Sequence, residues 1–266
     1  MKTPIMSTKN WEDVVDKVTD RMKSYTRPFV TPLVHDPPNA PPIFGSGTYI
    51  DMTNQAGSQR RLVTCEHVIR HQPQKHRPYG SVGLEELSGV ICSDRDPADA
   101  ATITISDAVW RSTSHQATAV PFSSFASRHA PVDKEVMFFR GLAGENAYLG
   151  FGNLDAIVTG FCAQEPPNSG NSRFFELGWQ PNATTITSGT CATEAQRVKF
   201  DNPAGFSGSL VWNTRFVELG CNLQKWSPAD AMVTGLLQRW DSSTQTLLVW
   251  RAEHLYDWLT SRPSWA

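Results

Sequence analysis

The sequence predicts an all-β architecture, a barrel or a sandwich, with one helix near each end. Three observations lead there. Short apolar or alternating runs recur between turn residues, no strand–helix–strand alternation interrupts them, and helical periodicity occurs only near the two termini. The chain has 266 residues, 39% apolar and 19% charged, enough for one large domain or two smaller ones with an ordinary buried core.

The elements follow in order. Residues 11–25 place Trp11, Val14, Val15, Val18, Met22 and Tyr25 at spacings of three and four, a single apolar stripe on a helix, with Ser7 or Thr8 available as its cap. Such a helix docks on a core or on a partner. Next comes R-P-F-V-T-P-L-V-H-D-P-P-N-A-P-P, whose prolines forbid helix and predict an extended connector. Strand patterns then occupy I-F-G-S-G-T-Y-I, R-L-V-T, A-T-I-T-I, E-V-M-F-F, D-A-I-V-T, R-F-F-E-L, G-S-L-V-W, A-M-V-T-G-L-L and T-L-L-V-W. The last element is the helix R-A-E-H-L-Y-D-W-L, with Leu255, Trp258 and Leu259 on one face.

Charge and cysteine usage narrow the partners. With 24 basic and 26 acidic residues the formal charge is −2, so neither nucleic acid nor an anionic membrane surface is expected as a partner. No run of 18 apolar residues occurs, and the start M-K-T-P-I-M-S-T-K-N turns polar before any signal-like core can form, which predicts a soluble, unsecreted protein. Cys65, Cys92, Cys162, Cys191 and Cys221 are scattered and contain no C-x-x-C pair, which fits a reducing cytoplasm and argues against structural zinc.

The stretch most unlike a structural strand is D-N-P-A-G-F-S-G-S-L-V-W-N, residues 201–213. Glycines on both sides of Phe206 and Ser207 at the mouth of an apolar run mark a tight turn or a close approach of backbone to a ligand. Upstream, R-L-V-T-C-E-H-V-I puts His67 directly after a strand, and D-R-D-P-A-D-A-A-T-I-T-I puts an acidic cluster directly before one. The chain order is therefore His, Asp, Ser.

In that order, the chain resembles the trypsin-like, chymotrypsin-fold serine proteases, in pattern nearest to bacterial intracellular and HtrA-like members. The resemblance spans residues 43–240. F-G-S-G-T-Y-I is similar to the first barrel strand, V-T-C-E-H-V to the T-A-x-H segment, D-A-A-T-I-T-I to the D-x-A-x-x-x-I segment, G-F-S-G-S to G-D-S-G-G, and F-F-R-G-L-A-G to the opening of the second barrel. It implies two six-stranded antiparallel barrels: a helical extension over residues 1–30, a connector over 31–42, a first barrel with its linker over 43–131, and a second barrel with the C-terminal helix over 132–266.

The resemblance also implies a chemistry without metal or organic cofactor. Ser207 is the nucleophile; His67 is its base, because histidine changes charge near neutral pH; Asp99 fixes the imidazole tautomer. Asp94, Asp96 and Asp107 compete for the acid's role, but Asp99 matches the family's aspartate at the head of the strand. Gly205 turns the chain so that its N–H and that of Ser207 form an oxyanion hole. Phe206 stands where many secreted relatives carry the aspartate that pairs with a freed N-terminus, so activation by that ion pair is ruled out. Cys65, Glu66 and Ser209 are further departures.

Asp201, six residues before Ser207, matches the pocket-base position that selects arginine or lysine, although D-N-P reads equally well as an Asx turn. The expected partners are a protein or peptide substrate laid along the inter-barrel cleft as an added strand, and a regulatory protein, with the N-terminal helix or H-Q-P-Q-K-H-R-P as control elements. Three other readings carry less. His67 and His71 stand four apart but lack the H-E-x-x-H order and a third zinc ligand. Ser207, Asp241 and His254 have the order of an α/β-hydrolase, whose strand-to-helix elbow has no place in an all-β chain. The runner-up is a catalytically latent or inactive trypsin-like module acting in binding or regulation, its triad present but misaligned and switched by a partner; loss of a triad residue would be its sequence signature, and none is lost.

Overall fold

A computed structural model describes residues 8–54, 57–71, 74–167, 169–179, 199 and 201–261; Ser7 and Cys191 lie outside them. Helix α1 (Thr8–Thr26) buries Val18 and Met22 completely and rests Trp11, Val14, Val15 and Tyr25 against the same core. The apolar stripe is thus the face that docks.

The first sheet contains β1 (Val30–His35), β2 (Ile43–Asn54), β3 (Gly57–Thr64), β4 (Lys75–His76), β5 (Glu85–Glu86), β6 (Ile91–Asp94), β7 (Ala100–Thr104) and β8 (Val120–Pro121). Its order is β5-β4-β1-β2-β3-β7-β6, antiparallel throughout, with β8 parallel to β2 off that path. The second sheet contains β9 (Met137–Gly150), β10 (Asn153–Ala163), β11 (Phe174–Gly178), β12 (Leu210–Asn213), β13 (Met232–Asp241) and β14 (Thr246–Arg251), in the order β10-β9-β12-β13-β14-β11. Two short helices, α2 (Glu66–Ile69) and α3 (Asp107–Ser112), decorate the first half, and α4 (Ala252–Ser261) closes the chain with Leu255, Trp258 and Leu259 buried. No described helix is long and apolar enough to cross a membrane.

Two expectations change. The first sheet has eight strands instead of six; the sequence runs mark β2, β3 and β7, while β4, β5 and β8 are two-residue pairings with no alternation to betray them and the short, unburied β6 is unmarked too. The proline-rich connector is in part a strand, since β1 starts at Val30 and pairs with β2 from Val30↔Thr48 to His35↔Ile43. Pro32 fits there because Ser46, opposite it, sends its N–H to the Ser207 carbonyl (3.0 Å), so this is a pair that needs no donor from Pro32 toward β2.

A buried pair in this half sets a pH dependence. The Tyr49 hydroxyl and His76 Nδ1 are 2.6 Å apart. Burial, followed by the nearby His115, lowers the His76 pKa from 6.5 to about 4, outweighing the Glu85 carboxylate 4.0 Å from Nε2. The unfolded chain takes up this proton near 6.5 whereas the folded chain refuses it until about 4. Stability is therefore complete above the unfolded value and declines as pH falls through that window, by up to about 3 kcal/mol from this group. Urea unfolding across the window should show a shallower decline in His76→Asn than in the wild type; equally steep declines contradict this assignment.

Candidate active site

His67 and Asp99 are held together by two hydrogen bonds. Strand β3 ends at Thr64, and the short α2 is anchored by buried Val68 and Ile69, which leaves the His67 side chain 37% exposed. Asp99 has φ of +40°, a conformation few non-glycine residues adopt, and its N–H donates to the Arg95 carbonyl (3.1 Å). One carboxylate oxygen accepts the His67 main-chain N–H at 3.0 Å, and the other lies 2.7 Å from Nδ1. A carboxylate accepts, so Nδ1 carries a proton, which in the neutral imidazole leaves the lone pair on Nε2. The rival acids are engaged elsewhere or exposed. Asp94 accepts from the Trp258 indole (2.9 Å), Asp96 faces solvent, and Asp107 pairs with Arg60 (3.3 Å) and Arg111 (3.1 Å).

The Ser207 loop is a tight, donor-rich turn. Gly205 has φ of +103° and Gly208 φ of +91°, which only glycine adopts without strain. A Cβ on Gly208 would run into the Ser46 carbonyl. The neighbouring amides of Phe206, Gly208 and Ser209 donate to Pro203, Leu237 and Phe206 at 3.1, 2.9 and 3.0 Å. Among the described residues the Gly205 and Ser207 N–H groups have no partner, the state an oxyanion hole requires. Beneath the turn, fully buried Phe206 packs edge-on against Phe139 (5.3 Å), Phe161 (5.3 Å) and Trp179 (5.7 Å). An aromatic cluster thus anchors the turn from below.

Two further residues organise the site, and sequence reasoning passed over both. The buried Ser46 hydroxyl donates to the Gly205 carbonyl (2.8 Å) and accepts the Leu142 N–H (2.9 Å), while its own carbonyl accepts the Thr64 hydroxyl (2.7 Å). Its signal was G-S-G in β2, a small polar residue between glycines. The second is Gln238, at a bulge in the β13–β14 pairing, whose side chain donates to the Ala98 carbonyl beside Asp99.

The carbonyls of β13 bring the two sheets' contributions to one place. The Leu237 carbonyl accepts both the Gly208 N–H (2.9 Å) and the Cys65 thiol (3.3 Å), two residues before His67. The next carbonyl, Gln238, accepts the Ser207 hydroxyl at 2.7 Å. Among the described residues Ser207 makes no hydrogen bond to His67.

Among the described residues, the other residues singled out make no hydrogen bond to His67, Asp99 or Ser207. Asp201 is exposed, and the Asx turn belongs to Asn202, whose side chain accepts the Ala204 N–H (2.9 Å). Asp241 caps the β13–β14 turn through Ser243, and His254 donates to the Ser172 carbonyl (2.9 Å). His71 is exposed and stacks on His35 with centroids 5.8 Å apart. Among the described residues, one group of potential metal ligands clusters within 4.8 Å: Cys65, His67 and Asp99. Burial raises the Cys65 thiol well above its ordinary range, so ligation of a metal there would first require a costly loss of the thiol proton.

No family model and no curated protein matches the sequence. Solved structures do. HL collagenase aligns at 10% identity over 88% of this chain and 93% of its own, with a TM-score of 0.50. GrC aligns at 8% identity over 89% of this chain and 94% of its own, with a TM-score of 0.51. At such identities the likeness concerns the path of the backbone. The chain has the chymotrypsin-like fold of two antiparallel β halves, here with a docked N-terminal helix and a C-terminal helix.

Proposed function

We propose that the chain is a serine endopeptidase that works in the cytoplasm, acting through an ester on Ser207 with His67 as base and Asp99 as its orienting acid. The observation that carries this reading is the meeting at the β13 carbonyls of the Ser207 turn, with two unpartnered N–H groups, and the segment bearing a His67 imidazole whose Nε2 is left free by Asp99. His67 takes the Ser207 proton as the oxygen attacks the peptide carbonyl. The negative charge that develops is met by the Gly205 and Ser207 N–H groups, the proton passes to the leaving amine, and water repeats the sequence on the ester.

Ser207 has one adjustment to make. Its hydroxyl now donates to Gln238, a carbonyl on the strand along which an extended peptide would add. A substrate N–H that claims that carbonyl frees the hydroxyl to swing about one bond toward His67, a side-chain motion of picoseconds to nanoseconds. The same observation favours a second reading, a latent or regulatory module whose serine is withdrawn until a partner binds.

Turnover of peptide substrates differing only before the scissile bond tests both readings. Peptide cleavage lost in Ser207→Ala supports the endopeptidase; absence of turnover from the full chain on every peptide supports the latent module. Asp201 gives a preference for arginine or lysine, but a modest one, because an exposed carboxylate is screened by water and salt. Asp201→Asn should reduce the arginine-over-leucine ratio in kcat/KM by about fivefold or less, in line with the ~1 kcal/mol ceiling of an exposed pair. A hundredfold loss, or none, contradicts that role.

A further inference from the structure

The connection that carries Asp99 lies mostly at the surface. Residues 95–99 join β6 to β7, whose facing ends meet at the Asp94↔Ala100 pair, and Arg95, Asp96 and Pro97 are exposed while Ala98 is buried. Asp99 itself sits at φ of +40° with its N–H on the Arg95 carbonyl (3.1 Å). Such a backbone persists only where the surrounding structure imposes it.

The surroundings that impose it belong to the other half of the molecule. Arg173, in the turn before β11, donates from Nη2 to the Pro97 carbonyl (2.9 Å), and the Gln238 side-chain amide, on β13, donates to the Ala98 carbonyl. The Trp258 indole, on α4, donates to the Asp94 carboxylate (2.9 Å) at the foot of the same connection. The two carbonyls are the last before the acid, so the donors that fix them fix where its carboxylate meets His67. Gln238 also supplies the main-chain carbonyl that accepts the Ser207 hydroxyl (2.7 Å), so one residue touches both the acid's support and the nucleophile.

Arg173 is itself set in place. Its N–H donates to the Asn171 side chain (2.8 Å), its carbonyl accepts the Arg251 N–H (3.0 Å), and its guanidinium lies 5.6 Å from the centroid of the Phe174 ring. His254 of α4 ties to the same turn at the Ser172 carbonyl (2.9 Å). A guanidinium steadied in this way reaches Pro97 as a preorganised, charged donor, the stronger kind of hydrogen bond.

We propose that Arg173 is a positioning residue for the His67–Asp99 pair, acting with Gln238 to set Asp99 from the opposite half of the molecule. The inference rests on the reading of that pair as base and orienting acid. Asp99 must meet the His67 main-chain N–H and Nδ1 at once, at 3.0 and 2.7 Å, and hydrogen bonds weaken steeply as distance and angle are lost. Without its donors the connection relaxes toward an ordinary φ and carries the carboxylate off Nδ1. The base is therefore complete only when the two halves are docked.

Proton NMR of the full chain without substrate reads the His67–Asp99 bond directly, as an Nδ1–H signal downfield of the amides that His67→Ala removes. Arg173→Met keeps the stem and removes the donors; it should shift that signal upfield or broaden it away in a protein that still unfolds cooperatively. Arg173→Lys, which returns a charged donor, should recover most of it, and Gln238→Met should repeat the loss through Ala98. On a peptide substrate, Arg173→Met should lower kcat about tenfold with KM little changed, the effect of one charge-assisted hydrogen bond withdrawn from the transition state. A signal unchanged in Arg173→Met, a wild type without the signal, or a KM that rises with kcat intact, as a substrate contact would give, overturns the proposal. The signal needs no turnover, so a wild type that shows it and cleaves no peptide contradicts the endopeptidase reading alone, and the variants still decide the role of Arg173.

Discussion

Replacing Asp99 by asparagine lowers kcat by on the order of 10⁴ while the fold persists, the size of effect expected when the base is held in the wrong tautomer. The carboxylate accepts from both the His67 main-chain N–H and Nδ1. An amide has one accepting and one donating end. If its oxygen keeps the main-chain bond at 3.0 Å, its NH₂ faces Nδ1, which must then present a lone pair and leave the proton on Nε2. A base protonated at the nitrogen facing the serine cannot accept the serine's proton. Steady-state kinetics on a peptide substrate, with the Tm as a control for folding, checks this; a loss below tenfold contradicts the role of Asp99.

Gly205→Ala is the second large effect, through geometry instead of protonation. A Cβ there would lie 2.7 Å from both the Gly144 N and the Leu142 carbonyl oxygen, at a φ of +103° that alanine avoids. The turn must rotate to relieve this, carrying the Gly205 N–H out of the hole, and one lost oxyanion donor costs about 10² to 10³ in kcat. KM should change little, since the donor serves the transition state. A variant that raises KM with kcat intact places the Gly205 N–H outside the hole.

The sequence made the strands legible because eight of the nine patterned runs have buried residues at alternating or continuous positions that a core requires; D-A-I-V-T, at the bulge in β10, buries only Thr159. It hid β4, β5 and β8, two-residue pairings held by main-chain bonds that any side chain permits, and β6, a four-residue strand with no buried residue. It misrepresented Val30–His35, because a proline is an obstacle only where its missing N–H faces a ladder. At the site, Asp99 could be picked from the acidic cluster by its place at the head of β7, and the structure puts it 2.7 Å from His67. Ser46 left only the weak signal of a small polar residue between two glycines, and Gln238 left none, since its amide and its carbonyl reach Ala98 and Ser207 only once the two sheets have packed. The substitution at Phe206 announced that no ion pair locks the loop. That Phe139, Phe161 and Trp179 supply the lock follows only from packing β9, β10 and the end of β11 around it.

These partners also say what kind of catalyst to expect. An ion pair that must form after cleavage makes a loop conditional, whereas an aromatic cluster buried with the second core is present once the chain folds. The proposed oxyanion hole is therefore preformed, with the Ser207 hydroxyl turned to the Gln238 carbonyl.

The central claim is that Ser207 is an activated nucleophile, and the direct measurement is fluorophosphonate labelling of the purified full chain with mass spectrometry to locate the adduct. The account predicts a single adduct on Ser207, absent from Ser207→Ala and strongly slowed in His67→Ala and Asp99→Asn. An unlabelled wild type, or labelling of Ser207 as fast without His67 as with it, contradicts that claim.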